Sequence, residues 1–530
     1  MKTVLVVLLL SCTVVAAQEQ VPTHPTAGDP RAPGPLSPDL PPSGADRRPV
    51  TAPANSQMAP LEPTRVPEPA LPWAGYQNGT FYLHDSHDWF VIYPKGRLQI
   101  DGFLFPNRGA SPATGVTPNS TADARPKDTL FVRRARVELV GTLIGHFDFT
   151  IAAEYASTPQ TGATGTVADA HVTVDYLSWL KLQVGQFDAP FTLENRTSDK
   201  YLDFMERSLA VRAFSVPYNK DQGGMLWGWL PKQLAYYSLG VFDGDGGSFK
   251  SQDSRPAIIG RGFIAPLAFM GPRYPWLQQL WVGGSLWWKN EVNAGGPVAP
   301  SITGAAQNDL VSMTTQGAQT FFSSSYADGT NAAGNAVRSH LAPWGRTLKW
   351  AIEANVPFWR RMGARFELVH DDIELARYDD SNPANAALAR AAGIRGARLR
   401  GTAWYVELYG WLVGDSTFLE TPGLEPMPRL KRGPVARPRW ALMAALKYEH
   451  LGMTLAGVSS AGTGVSVDPT QGHYSVHTFE AGLNAWGTKH ARISANYVVN
   501  YIDGTSAQVQ SNYFYRRAEH EVLLRLAINP

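Results

Sequence analysis

Cysteine is almost missing from this chain: Cys12 is the only one in 530 residues. Disulfides therefore do not hold it together, and cysteine metal sites and a cysteine nucleophile are excluded. Long apolar runs are missing too. Beyond the first 17 residues no stretch offers 18 uninterrupted apolar residues, so no bilayer-spanning helix is expected. Charge is sparse, with Asp, Glu, Lys and Arg at 17% and a formal net of +2. That argues against nucleic acid as a partner and leaves any charge selectivity to local placement. The sequence shows no nucleophile elbow, phosphate loop or zinc motif, and singles out no Ser/His or Asp/His pair. The expectation is a protein that is not an enzyme and uses neither cofactor nor metal. Two short runs carry metal-capable side chains, His84-Asp85-Ser86-His87-Asp88 and Asp243-Gly244-Asp245-Gly246-Gly247. Neither has a wider ligand pattern, and both read as turns.

What is present begins with an export signal. Residues 1–17 have an early Lys2, an apolar core and small residues before Gln18, the pattern of a signal peptide cleaved after Ala17. Leu9-Leu10-Ser11-Cys12 resembles a lipoprotein cleavage site, but the apolar run continues past Cys12, which favours ordinary processing. Residues 18–73 hold 15 of the 40 prolines and almost no aromatics. Such a segment cannot bury a core and is expected to be a disordered, extended periplasmic tether. It is either a spacer that contacts the cell wall or a partner, or a passive leader.

From Phe81 onward the chain reads as short alternating strands. Arg134, Arg136, Glu138 and Thr142 share one parity; Ala135, Val137, Leu139 and Leu143 share the other. After a turn at Gly145-His146, Asp148, Thr150 and Glu154 alternate with Phe147, Phe149, Ile151 and Tyr155. Successive strand residues face opposite sides, so this hairpin has one charged and one apolar face. In an exported chain that pattern predicts a membrane barrel, with the apolar face toward lipid and the charged face lining a lumen. Arg97, Gln99 and Asp101 alternate with Leu98 and Ile100 in the same way, as do Glu521 and Arg525 with Val522, Leu524, Leu526 and Ile528. Trp179, Trp227, Trp229, Trp287, Trp288, Trp404, Trp411, Tyr448 and Tyr501 lie near strand ends, where interfacial girdles are expected. Polar insertions at 109–128, 291–342 and 377–397 read as extracellular loops. The fold class is all-β, a transmembrane antiparallel β-barrel of about 16 strands. Residues 74–95 lead into it and residues 96–530 form it.

Selecting anions needs fixed positive charge in a narrow place, and guanidinium suits oxyanions because its fork donates two hydrogen bonds. Arg97, Arg134, Arg136 and Lys181 lie on polar parities and are expected to line the lumen. Arg133 has the opposite parity and reaches the lumen only through a bulge or at the strand's end. The same arginines could instead pair with Asp101, Glu138, Asp148 and Glu154 and stiffen the wall. Between about Asp188 and Phe214 the chain turns loop-like, and Ser198 is placed to cap a short helix running to Leu209. Tyr201, Phe204, Met205, Ser208 and Leu209 would anchor that helix to the wall, leaving Arg196, Lys200, Arg207 and Arg212 toward water.

These segments, with Leu182-Gln-Val-Gly-Gln-Phe-Asp-Ala-Pro-Phe-Thr-Leu-Glu194, Thr197-Ser-Asp-Lys-Tyr-Leu-Asp-Phe-Met-Glu-Arg-Ser-Leu209 and Ala491-Arg-Ile-Ser-Ala-Asn-Tyr497, resemble the phosphate-selective porin O/P family. The resemblance covers nearly all of residues 96–528 outside the loops. It implies a 16-stranded barrel integral to the bacterial outer membrane, in outer-membrane lipid, usually a homotrimer, with an inward-folded loop that narrows the pore. Arg133 and Arg134 then belong among the pore arginines. The implied function is passive diffusion of small anionic solutes such as phosphate or polyphosphate. A weakly selective porin and a structural or adhesive barrel without conductance stay as alternatives. Two departures bear on the phosphate assignment more than on the barrel. Asn195 stands where phosphate-specific members carry a lysine, although Lys200 matches the second one. The chain also closes on Ile528-Asn529-Pro530 rather than on an aromatic residue.

Overall fold

The structure is a computed structural model. It describes residues 72–530 apart from 78–79, 110–124, 158–163, 217–218, 248–254, 271–272, 292–309, 311, 331–335, 380–394, 417, 420–421, 425–427, 429, 431–439, 458–468 and 530. The signal segment, Cys12, nearly all of the tether and much of the three long insertions lie outside the described residues. The chain divides into two units, Met1–Val66 and Pro67–Pro530; the described residues all belong to the second.

A short hairpin of β1 (Ala74–Gln77) and β2 (Thr80–His84) leads into β3 (Phe90–Leu104). Then come β4 (Thr129–Leu143), β5 (Phe147–Ala156), β6 (Thr164–Leu177), β7 (Leu180–Asp188), β8 (Lys220–Trp229), β9 (Ala235–Phe242), β10 (Ala257–Ile264) and β11 (Trp281–Glu291). Three short strands, β12 (Met313–Thr314), β13 (Thr320–Phe322) and β14 (Ser325–Thr330), interrupt the wall. It resumes with β15 (Ala336–Trp359), β16 (Met362–Asp379), β17 (Arg395–Val413), β18 (Ala441–Ala456), β19 (Gly472–Thr488), β20 (Ala491–Gly504) and β21 (Ala518–Ile528). Strand β11 pairs with β15, and β21 returns to β3 with Arg525 opposite Asp101. The result is a closed barrel of 16 antiparallel strands, with no free edge along the wall.

The expected alternation sets the two faces. Val137, Leu139, Ile151, Val184, Leu446, Phe479 and Leu524 point outward and are exposed to what would be lipid. Their sequence neighbours Glu138, Gln183, Lys447, Glu480 and Arg525 point inward and are buried. Short connections, such as Ile144–His146 between β4 and β5 and Arg360–Arg361 between β15 and β16, gather at one end. Most long ones gather at the other, the end that would be extracellular in a membrane barrel, while 265–280 and 414–440 are long connections at the short-turn end. The aromatic girdle differs from expectation. Trp179, Trp288 and Tyr501 are exposed on the outer wall, but Trp287 and Trp411 are buried inside. Trp227 and Trp229 also turn inward, against Tyr236. They do so because the lumen is largely filled, and its fillings supply an apolar surface.

Those fillings rest on the taller wall, β15–β20. Leu399, Tyr405, Leu451, Met453, Tyr474 and Val476 face inward there yet are fully buried, forming a core with Phe191, Leu209, Phe214, Met313 and Phe322 from inserted segments. The two motifs read as turns take that form. His84 bonds Asp88 and the Pro72 carbonyl, and Asp245 pairs with Lys289.

Candidate pore constriction

The connection from β7 to β8 folds into the barrel. It carries two short helices, α1 (Leu193–Arg196) and α2 (Leu209–Phe214). The expected helix from Ser198 to Leu209 does not form. Its backbone acceptors are taken by the wall: Arg492 donates to the Leu202 carbonyl (2.6 Å), Asn484 to that of Asp203 (2.6 Å) and Arg525 to that of Met205 (2.5 Å). Satisfied from outside, those carbonyls leave no helical ladder to build. The N-cap of α2 is Ser208 rather than Ser198, and Glu449 of β18 accepts from the Leu209 amide (2.5 Å). Glu367 of β16 accepts from the Leu193 amide (2.6 Å) and so does the same at α1. The anchors are the expected residues even though the helix is not. Phe204, Met205, Ser208 and Leu209 are buried against the wall, and Tyr201 is half-buried.

A β-bulge decides where Arg133 goes. In the β3–β4 register Gln99 faces Arg134 but Ile100 faces Val132, so Arg133 is the extra residue. One extra residue flips the parity of the strand beyond it. Both Arg133 and Arg134 therefore enter the lumen. Arg133 reaches Glu206 of the inserted segment (3.1 Å), and Arg134 reaches Asp199 (2.8 Å) and Gln99 (2.9 Å). Arg97 pairs with Asp199 and Glu138. Arg136 pairs with Glu154 (2.6 Å), Asp169 and Glu138.

The remaining expected residues are dispersed. Lys181 sits apart, on Asp175 (2.6 Å) and over the Trp227 ring. Lys200 is buried 3.8 Å from Glu138. Arg207 donates to the Glu194 and Thr197 carbonyls, Arg196 to that of Asp188, and Arg212 to the Thr314 hydroxyl. Burial works against the charged forms of Asp199 and Glu206. Arg97 and Arg134 beside Asp199, and Arg133 and Arg525 beside Glu206, nonetheless hold both carboxyls well below the ordinary carboxylate range.

Several contacts at the centre have no local signal in the sequence, even where alternation places the residue on the inner face. Arg525 forks onto Asp101 (2.6 and 2.7 Å) and also reaches Glu206 (3.0 Å), tying β21, β3 and the segment together. Arg365 joins Asp203 to Glu407. Two further segments narrow the lumen. Residues 313–322, within the insertion read as an extracellular loop, turn inward; Glu521 accepts from Gly317 N and Thr315 Oγ1, both at 2.7 Å. A side chain at Gly317 would collide with that carboxylate. From the short-turn end, the β17–β18 connection brings Gly423 to the inserted segment, where its amide donates to Thr197 Oγ1 (2.6 Å) and its carbonyl accepts from Arg261 (3.3 Å). Arg133, Arg134, Arg136, Glu154, Asp169 and Lys220 keep 9–18% of their side-chain exposure along β4, β5, β6 and β8. Charged side chains thus border what stays open on that side.

Comparison with known families matches part of this chain. The family described as phosphate-selective porin O and P matches residues 115–321. Over residues 115–321 the chain is similar to that family. Porin O of Pseudomonas aeruginosa is 30% identical over 183 residues, which is 32% of this chain and 37% of Porin O. Among solved structures, the outer membrane channel DcaP of Acinetobacter baumannii is 10% identical with a TM-score of 0.43, covering 83% of this chain and 97% of its own. An anion-selective porin from Comamonas acidovorans is 9% identical with a TM-score of 0.42, covering 83% and 100%. The described residues of this chain form a closed antiparallel β-barrel with an apolar outer face.

Proposed function

We propose that this porin conducts small solutes by passive diffusion with a preference for anions, oxyanions such as phosphate among them. The observation that carries the reading is the β3–β4 bulge, which delivers Arg133 and Arg134 side by side to the lumen next to Arg136 and Lys220. Partly exposed guanidinium groups against a low-dielectric wall concentrate a positive field and offer two-point hydrogen bonds to an oxyanion. Transport then needs binding strong enough to recruit and weak enough to release. The assembly we infer is the homotrimer that the family resemblance implies.

One observation favours a weaker selectivity. The arginines are already paired with Asp199, Glu138, Glu154 and Glu206, which offsets part of their field. Charge reversal separates the two readings. Arg134→Glu and Lys200→Glu should each move the reversal potential toward cation preference. Selectivity equal to the wild type in both would sink the anion assignment and leave a general porin.

A further inference from the structure

Outside the lumen, three arginines converge on one carboxylate on the lipid-facing wall. Arg398 of β17 forks onto Asp372 of β16; Arg400 lies 3.5 Å and Arg346 of β15 lies 3.8 Å from the same oxygen. Asp372 is nearly covered, at 14% exposed, whereas Arg346, Arg398 and Arg400 remain 49%, 32% and 59% exposed. Glu374 lies beside them and accepts from the Arg346 amide (2.9 Å). The three guanidinium groups therefore exceed their carboxylate partners and face outward.

Their height is fixed by the strands that carry them. Along β15 the outward residues after Arg346 are Leu348, Trp350 and Ile352; along β17, after Arg400, they are Thr402, Trp404 and Val406. Both strands thus place a tryptophan two outward positions below the arginine and an aliphatic residue beyond it, as at a membrane interface read from headgroup to hydrocarbon. The cluster lies toward the extracellular end, since β15 and β16 turn at Arg360–Arg361 on the other. Guanidinium groups at headgroup depth, partly freed from carboxylates, suit phosphate oxygens, which accept paired hydrogen bonds from the fork.

We propose that Arg346, Arg398 and Arg400 form a binding site for the phosphate of an outer-leaflet lipid, separate from the pore. The site docks lipid against the tall wall and plays no part in conduction. The test uses the full-length purified porin in neutral detergent. Native mass spectrometry reads its retention of a bisphosphorylated glycolipid and of the same lipid dephosphorylated. The wild type should retain the phosphorylated form selectively, and the combined R346Q/R398Q/R400Q variant should retain it about tenfold less or weaker still. Asp372→Asn, which removes the competing carboxylate, should retain more, and it decides the matter if the triple variant fails to fold. Retention of both lipids alike, equal retention by the triple variant, or no gain in Asp372→Asn would each overturn the proposal. Displacement by inorganic phosphate as readily as by added lipid would assign the cluster to soluble phosphate and overturn it too. Wild-type conductance in the triple variant is expected, which keeps this outcome separate from that of the pore variants.

Discussion

Asp199 is the residue on which the inserted segment turns. It sits between Arg97 of β3 and Arg134 of β4, and all three side chains are nearly buried. Removing one partner of such a group leaves buried charge unpaired, which typically costs about 3–5 kcal/mol. Asp199→Asn should therefore lower the thermal transition of the folded barrel. It should also move the reversal potential toward stronger anion preference, because two guanidinium groups lose their counter-ion. An unchanged transition and unchanged selectivity would show that Asp199 does neither. The pH dependence follows from the same pairing. Asp199 and Glu206 have carboxyls held below their unfolded values. The stability they contribute is present above the unfolded pKa of about 4 and is lost as pH falls through the lower folded value. The hold of Asp199 and Glu206 on the wall should thus persist from neutrality to about pH 4 and weaken only under stronger acid. Loss of amide-exchange protection in residues 199–206 between pH 7 and 5 would contradict that.

At the scale of elements, the wall and its insertions were legible to different degrees. The alternation in β3, β4, β5 and β21 was readable because a two-residue period needs only neighbours. Outward apolar positions inherit a direct test. Leu446→Arg, facing lipid on β18, should cost about 2–4 kcal/mol of folding in a bilayer. Lys447, one residue on, faces inward to Glu449 and Glu480 and would show a different penalty, independent of depth in the membrane. The path of residues 189–219 was only half legible. Its apolar anchors could be named, but its helix boundaries depend on Arg492, Asn484 and Arg525, which lie some 280 or more residues away in the chain. The inward turn of residues 313–322 and the entry of Gly423 were not readable, since Glu521, Thr197 and Arg261 have no local sequence signature for those contacts. Gly401 of β17 marks the same long-range dependence. A Cβ there would lie 2.3 Å from the Phe214 ring of α2. Gly401→Leu should push α2 off the wall and alter single-channel conductance, measurable in a planar bilayer; wild-type conductance would mean that α2 does not border the path.

At the scale of the whole molecule, the barrel is asymmetric. The β15–β20 side holds the insertions through an apolar core, and partly exposed charged side chains line the β4–β8 side. Carboxylates recur as docking points rather than as free charge: Glu367, Glu449 and Glu521 each accept backbone amides of an inserted segment. Arg133 and Arg134 pin the segment through Glu206 and Asp199, and on the proposed reading they would also supply positive field. A list of lumen arginines read from parity alone therefore does not separate anchors from selectors. Arg133 illustrates the boundary: its parity points outward, and only the bulge against Gln99 and Ile100 brings it in.

The most direct measurement is the reversal potential of the refolded full-length porin in a planar bilayer across a potassium chloride gradient, with inorganic phosphate then added. A conducting channel whose potential lies toward the chloride equilibrium value, and whose current falls as phosphate rises, is the expected result. A folded barrel that passes no current, or one that prefers potassium, would contradict an anion-preferring pore built on Arg133, Arg134 and Arg136.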